Sequence, residues 1–203
     1  MTRRIVTNIA LSLDGRYAKD DPMDMSWVMP YAVSDAARDH LTSLWESATT
    51  AVLGRKNAEG FLGWWPQVID MDGADPRDVG FARWLVDVDK VVLSTTLTHA
   101  PWRHTTLEDR ATADVLRDLA AGESDDPGDT GDTDGDVFVV SSASVIRAAL
   151  EADLVDQLCI TQFPVVLGSG PRLFEGGPDS RWQLARQVAG GDGELLLKYD
   201  RVR

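Results

Sequence analysis

The stretch from Val137 to Phe174, VFVVSSASVIRAALEADLVDQLCITQFPVVLGSGPRLF, limits what this chain can fold into more than any other. It opens on an apolar run, Val137 to Val140, of the length of a buried strand. The small polar turn Ser141-Ser142-Ala143-Ser144 follows, then an amphipathic segment with Val145, Ile146, Ala149 and Leu150 on one face. Asp153 and Asp156 flank a second apolar run, Leu154 to Ile160, and Pro164 to Leu167 form a third. Strand, helix and strand in so few residues predict a right-handed βαβ crossover, and with it an α/β fold. Small residues between the first strand and its helix leave backbone N–H groups free where a phosphate or pyrophosphate can sit. Serine is also an ordinary helix cap, so both readings stand at this point.

The chain has 203 residues, which suits a single domain over 1–203 with a real core. Its net charge of −13 argues against nucleic acid or an anionic membrane surface as a partner. Much of that acid lies between Glu123 and Asp136, a segment without one apolar residue. Such a segment cannot bury surface to offset its ordering entropy, and 122–136 is expected to be a mobile loop. Asp129, Asp132, Asp134 and Asp136 are oxygen ligands, but the calcium-loop pattern also needs a distal glutamate that is missing, so no metal is expected. The one cysteine, Cys159, lies inside an apolar run and reads as a buried small hydrophobe in a reducing, cytoplasmic setting. No run reaches the ~18 apolar residues of a membrane span. Arg3-Arg4 is followed by no long apolar region, so no signal peptide is expected.

Ile5 to Leu13 is a strand candidate, apolar on both faces as a central strand should be. It runs into Ser12-Leu13-Asp14-Gly15, where Asp14 is either a turn former or a polar group placed at a site. Asp20 to Pro30 carries Met23, Met25, Trp27 and Met29, and is either a lid over a ligand or a flap of the core. Ser34 to Ser47 reads as a helix capped by Ser34, with Ala37, Leu41, Leu44 and Trp45 at helical spacing. Thr50 to Leu53 is a short strand, and Gly54-Arg55-Lys56-Asn57 then opens another helix. The helix dipole disfavours cations there, and a bound anion would compensate. Phe81 to Leu85 reads as a short helix, Asp89 to Leu93 as a strand ending in Ser94-Thr95-Thr96, and Trp102 to Leu107 as a short strand. Ala111 to Ala121 is a helix. Trp182 to Val188 and Glu194 to Tyr199 read as strands of a glycine-rich hairpin.

These pieces together resemble one family. Ser12-Leu13-Asp14-Gly15, Gly54-Arg55-Lys56, Leu93-Ser94-Thr95-Thr96-Leu97, Leu154-Val155-Asp156-Gln157-Leu158 and Pro164-Val165-Val166-Leu167-Gly168-Ser169-Gly170-Pro171-Arg172-Leu173-Phe174 look like the dihydrofolate-reductase-like proteins of the riboflavin biosynthesis reductase type. The resemblance covers nearly the whole chain. It implies a three-layer α/β/α domain, its central sheet mostly parallel with an antiparallel C-terminal hairpin, and NADPH bound across the carboxyl ends of the strands. Gly54, Arg55, Lys56 and Asn57 would meet the cofactor phosphates. Ser94 and Thr95 would lie near the adenosine phosphate. Ser141, Ser142, Ala143 and Ser144 would face the diphosphate and nicotinamide, with Ala10 and Val140 completing the cofactor set.

The resemblance further implies a reductase passing a hydride to a small, pterin- or pyrimidine-like substrate. Asp14, Trp27 and Phe163 are the substrate-side candidates, and the proton donor is either Asp14 or solvent. Homodimers are common among such relatives. Two departures mark this chain. The family usually has glycine where Ser141 stands. The helix acid that holds a pterin in dihydrofolate reductases is replaced, by spacing from Gly54, by Arg38, so dihydrofolate is not expected as substrate. No zinc deaminase half is present, for the chain has neither His-x-Glu nor Cys-x-x-Cys. The rival expectations are a nucleotide-binding or ligand-sensing protein without turnover, and a dimeric scaffold in which the seven tryptophans cover an interface.

Overall fold

A computed structural model describes residues 2–22, 24–122 and 134–203. Most of the acidic segment expected to be mobile, and Met23, lie outside the described residues. Eight strands form one sheet: β1 (Ile5–Leu11), β2 (Ala48–Gly54), β3 (Asp89–Leu93), β4 (Thr105–Glu108), β5 (Asp136–Val140), β6 (Gln157–Gln162), β7 (Arg181–Ala189) and β8 (Leu195–Val202). Their order is β4-β3-β2-β5-β1-β6-β8-β7. The first six run parallel, and β8 and β7 complete the sheet antiparallel. The three-layer fold and the antiparallel C-terminal hairpin are as the resemblance implied.

Alternation along the strands explains the layers. On β5, Val137 and Val139 face one side with Ile5, Ile9 and Val52. Phe138 and Val140 face the other with Val6, Ala51 and Leu53. Both sets are buried, so both faces need helices. On the first side lie α5 (Thr112–Ala121) and α6 (Ala143–Glu151), contributing Val115, Leu116, Ile146 and Ala149. On the second lie α2 (Asp35–Trp45), α3 (Arg55–Val68) and α4 (Pro76–Asp87), contributing Leu44, Ala58, Leu62, Phe81 and Leu85. A one-turn helix, α1 (Met29–Ala32), sits in the connection from β1 to α2.

Local signals set most boundaries. Ser34 caps α2 by accepting from the Ala37 N–H at 3.2 Å. The expected short helix at Phe81–Leu85 is part of the longer α4. Asp75 caps it through the Arg77 N–H and Pro76 occupies its first turn, a start signal that lies in plain sequence. The run Pro164–Leu167 is not a strand. Its backbone is taken up by single bonds, Leu13 N–H to the Val165 carbonyl and Val165 N–H to that of Phe163, because β8 already occupies the edge of β6.

Candidate functional site

The parallel strands all end at one edge, and the turns leaving β2 and β5 meet there because those strands are neighbours. The Ser142 hydroxyl ties the turns together. It accepts from the Gly54 N–H at 2.9 Å and donates to the Val140 carbonyl at 3.1 Å. The Asn57 amide donates to the Ser141 carbonyl at 2.9 Å, and the Ser141 N–H donates to the Asn8 carbonyl on β1 at 3.0 Å. A Cβ added to Gly54 would stand 3.5 Å from the Ser144 hydroxyl and 3.6 Å from a Val145 methyl, so even the smallest side chain there would touch the start of α6. The sequence-nominated residues Gly54, Asn57, Ser141, Ser142 and Ser144 are thereby brought into one cradle.

The helices that begin in this cradle differ from the others longer than one turn. Helices α2 and α4 each have a side-chain cap and an acid in the first turn, and α5 has Asp114 in its first turn. Helices α3 and α6 have neither. Two helix starts with undressed N–H groups, side by side, concentrate partial positive charge at one spot. Arg55 and Lys56 add formal charge. Arg55 reaches Glu59 at 3.0 Å, whereas exposed Lys56 has no ion pair among the described residues. The arrangement suits a diphosphate.

Ser141, at the centre, has φ of +48°. This is left-handed backbone that favours glycine, and here serine holds it. Val140 is buried and offers the cradle its carbonyl. Ala143 is buried as the first residue of α6. One strand further out, Ser94 closes its own turn, its hydroxyl accepting from the Thr96 and Leu97 N–H groups at 3.2 and 3.0 Å, while Thr95 is exposed.

The substrate-side candidates behave otherwise. Asp14 accepts from the Ser12 hydroxyl at 2.7 Å, the Arg16 guanidinium at 2.8 Å, and the Leu167 and Gly168 N–H groups at 3.0 and 3.1 Å. The bond from Leu167, then that from Ser12, hold its carboxyl far below the usual carboxylate range. Asp14 is therefore a fixed anion that clamps the 164–168 segment to the end of β1. An anion held this way favours solvent, the other candidate, as the source of the proton.

Trp27 and Phe163 are buried, edge to face at 5.8 Å, with Tyr31 stacked on Phe163 at 5.2 Å. Ala10 packs against the same group. The loop before α1 is thus a core flap with its own small core, and neither ring presents a free face. Of the two readings of this loop, lid or core flap, the packing favours the flap.

Sequence reasoning missed Asn8 and His40. Both are buried, with the imidazole Nε2 3.4 Å from the Asn8 side-chain oxygen. Burial, reinforced by Lys198 and Arg186, pushes His40 down to about 4, so it is neutral. The signal was available, since position 40 falls in the inward row of Ala37, Leu41 and Leu44. The charged residues of α2 turn elsewhere. Asp35 and Asp39 bind Arg77, and Arg38 binds Asp78 and Asp75, all on or at the start of α4. Cys159 is buried and its thiol is pushed up to about 12 by desolvation. Among the described residues no group of three or more His, Cys, Asp or Glu could hold a metal ion, and no helix is long and apolar enough to cross a membrane.

Comparison with known proteins agrees with this architecture. Residues 130–196 match the model of the RibD C-terminal domain. No curated protein matches the chain. A protein of Shewanella sp. PV-4 named for riboflavin biosynthesis superposes with a TM-score of 0.69 at 24% identity, all of each chain being covered. The diaminohydroxyphosphoribosylaminopyrimidine deaminase/5-amino-6-(5-phosphoribosylamino)uracil reductase of Thermotoga maritima gives 0.63 at 17% identity, covering 99% of this chain and 57% of that one. A pyrimidine reductase-like protein of Corynebacterium diphtheriae gives 0.60 at 14% identity, covering 99% and 92%. The whole chain therefore shares the fold of these riboflavin-type proteins, and its segment 130–196 is similar in sequence to the RibD C-terminal domain.

Proposed function

We propose that the protein is an NADPH-dependent reductase acting on a small heterocycle of the pterin or pyrimidine class. The observation that carries this is the pair of uncapped, acid-free helix starts of α3 and α6, tied together by Ser142 at the carboxyl edge of the sheet. The C-terminal domain match and the names of the structural neighbours support the same reading. The residues fit the cofactor. The N–H groups that open α6 at Ala143 and Ser144, and those that open α3 at Arg55 and Lys56, would hold the diphosphate. Arg55, Ser94 and Thr95 would meet the remaining phosphate. NADPH when bound supplies the hydride.

The chain's own part is positioning. Asn57 and Ser142 fix the cradle, the Ser141 carbonyl and Ala10 border the nicotinamide side, and the Trp27–Phe163 flap covers the substrate side. The proton that accompanies the hydride comes from solvent, since Asp14 is held as an anion. That same fixed anion favours a second reading, nucleotide binding without turnover. The single buried cysteine suits a reducing, cytoplasmic setting.

The test is a fluorescence titration of the purified protein with NADPH and with NADH, followed by a substrate screen. Micromolar NADPH affinity with preference over NADH is expected. Arg55→Ala should weaken NADPH about tenfold, the value of one charge-assisted hydrogen bond, and leave NADH nearly unchanged. Equal loss for both would remove Arg55 from the extra phosphate. Binding without oxidation of NADPH by any pterin or pyrimidine would favour the second reading, and binding of neither cofactor would end both.

A further inference from the structure

Two cations on the β7–β8 hairpin stand together without a counter-charge. Lys198 on β8 lies directly opposite Arg186 on β7, and Lys198 reaches Ser43 of α2, so both side chains are on the sheet face that α2 packs against. Like charges directly opposite each other on an antiparallel pair destabilise it. Plain alternation would not give this pairing. Strand β7 carries a bulge between Leu184 and Arg186, so that Leu184 meets Tyr199 and Arg186 meets Lys198. In unbroken register Ala185 would meet Lys198 instead. A bulge re-aims a side chain, and this one sets a guanidinium beside an ammonium.

The surroundings do not neutralise the pair. The chain has 33 Asp or Glu against 20 Lys or Arg, and Arg38, Arg77 and Arg110 each bridge two or more carboxylates. Lys198 and Arg186 have no ion pair among the described residues. Asp200, two residues along β8, binds Gln157 and Arg4, and Asp136 binds the Ser47 hydroxyl. Lys198 is half-buried. Desolvation pulls its ammonium below the ordinary value, and Arg186 adds to the effect.

We infer that Arg186 and Lys198 form an anion site of their own, for a phosphate group, on the flank of α2. The donors fit that ligand. The Ser43 hydroxyl accepts one Lys198 N–H at 2.8 Å and donates its own proton to the His40 carbonyl at 2.7 Å, which fixes the ammonium against the helix. Two N–H groups of Lys198 and the five of Arg186 are left for a ligand. A planar fork of donors beside a point charge suits a doubly charged oxyanion, whereas a single carboxylate would leave one of the two charges unmatched. The site is separate from the cradle, since β1 and β6 lie between β5 and β8. The inference does not depend on the reductase reading.

The test is an NMR titration of the isotope-labelled full chain with sodium phosphate, at constant ionic strength set by sodium chloride, followed at the amides of Ser43, Arg186 and Lys198. Saturable shifts are expected there in the wild type. Lys198→Met and Arg186→Gln should each weaken phosphate about tenfold, the value of one charge-assisted hydrogen bond. Arg181→Gln, which removes a charge from the start of the same strand, should leave the affinity unchanged. Arg186 is exposed, so its variant reports on the site even where Lys198→Met loses stability. Glycerol phosphate separates the sources of the ligand: tighter binding than inorganic phosphate marks the end of a phosphate ester, and equal or weaker binding marks free phosphate. Shifts that chloride alone produces, no saturation by phosphate, an unchanged affinity in Arg186→Gln, or an equal effect of Arg181→Gln would each overturn the inference.

Discussion

Ser141 is where local chemistry and the site conflict most openly. A serine at φ +48° costs roughly 1–2 kcal/mol of backbone strain, and the bonds to Asn8 and Asn57 hold it there. Glycine would relieve the strain but lose about as much through its freer unfolded state. Ser141→Gly should therefore leave stability within about 0.5 kcal/mol, whereas Ser141→Val, β-branched in the same region, should cost about 2 kcal/mol by urea denaturation. Asp14 makes a different prediction. Its carboxyl is depressed from the ordinary 3.8, so the clamp stabilises the fold above that pH and is lost as pH falls below it. The stability gap between wild type and Asp14→Asn should be full at pH 6 and shrink below about pH 4. Any reductase activity at pH 7 should survive that substitution in part; complete loss with unchanged NADPH affinity would restore Asp14 as a catalytic group. The sequence offered Asp14 as turn former or site residue, and only the partners at 167 and 168, far along the chain, decide between them.

Among the elements, α2 shows best what a sequence conveys. Its cap at Ser34 and its inward row are legible from spacing alone. What its inward polar residue meets is not, because Asn8, Lys198 and Arg186 arrive from β1, β8 and β7. His40 is pushed down from 6.5 to about 4, so between those values only the unfolded chain takes up its proton. Stability is full above pH 6.5 and falls as pH drops toward 4, by about 3 kcal/mol in all at 1.36 kcal/mol per pH unit. His40→Gln should flatten urea midpoints between pH 6.5 and 5; an unchanged slope would show that α2 docks without this imidazole. The cradle is the converse case. Glycine, serine and asparagine at strand ends flagged the turns 54–57 and 141–144, whereas the tie from Ser142 to Gly54 needs β5 to lie beside β2, and pairing across 88 residues leaves no periodic trace. The aromatic loop reads from sequence as either lid or core flap for a related reason. An apolar loop looks the same whether it covers a ligand or its own Phe163.

For the molecule as a whole, the layers and the order of strand types follow from alternation and from βαβ units such as that at 137–160. A ligand that binds only the folded state raises stability with its concentration. NADPH at about 100 times its dissociation constant should add about 2.7 kcal/mol, and NADH at the same concentration much less. Equal shifts would mean that the extra phosphate is not read.

The place of β1 in the sheet carries a last consequence, for how the protein is made. Strand β1 lies between β5 and β6, which both follow it in the chain, and the bond from Arg3 to Gly135 already spans 132 positions. Until those partners are synthesised, β1 presents apolar side chains on two faces and unpaired backbone on two edges. Folding to this sheet is accordingly a late event in translation, dominated by distant pairings and slow for its size. A nascent chain arrested before residue 137 should hold β1 in a state that a chaperone binds or a protease cuts, and synthesis of β5 and β6 should close both routes together.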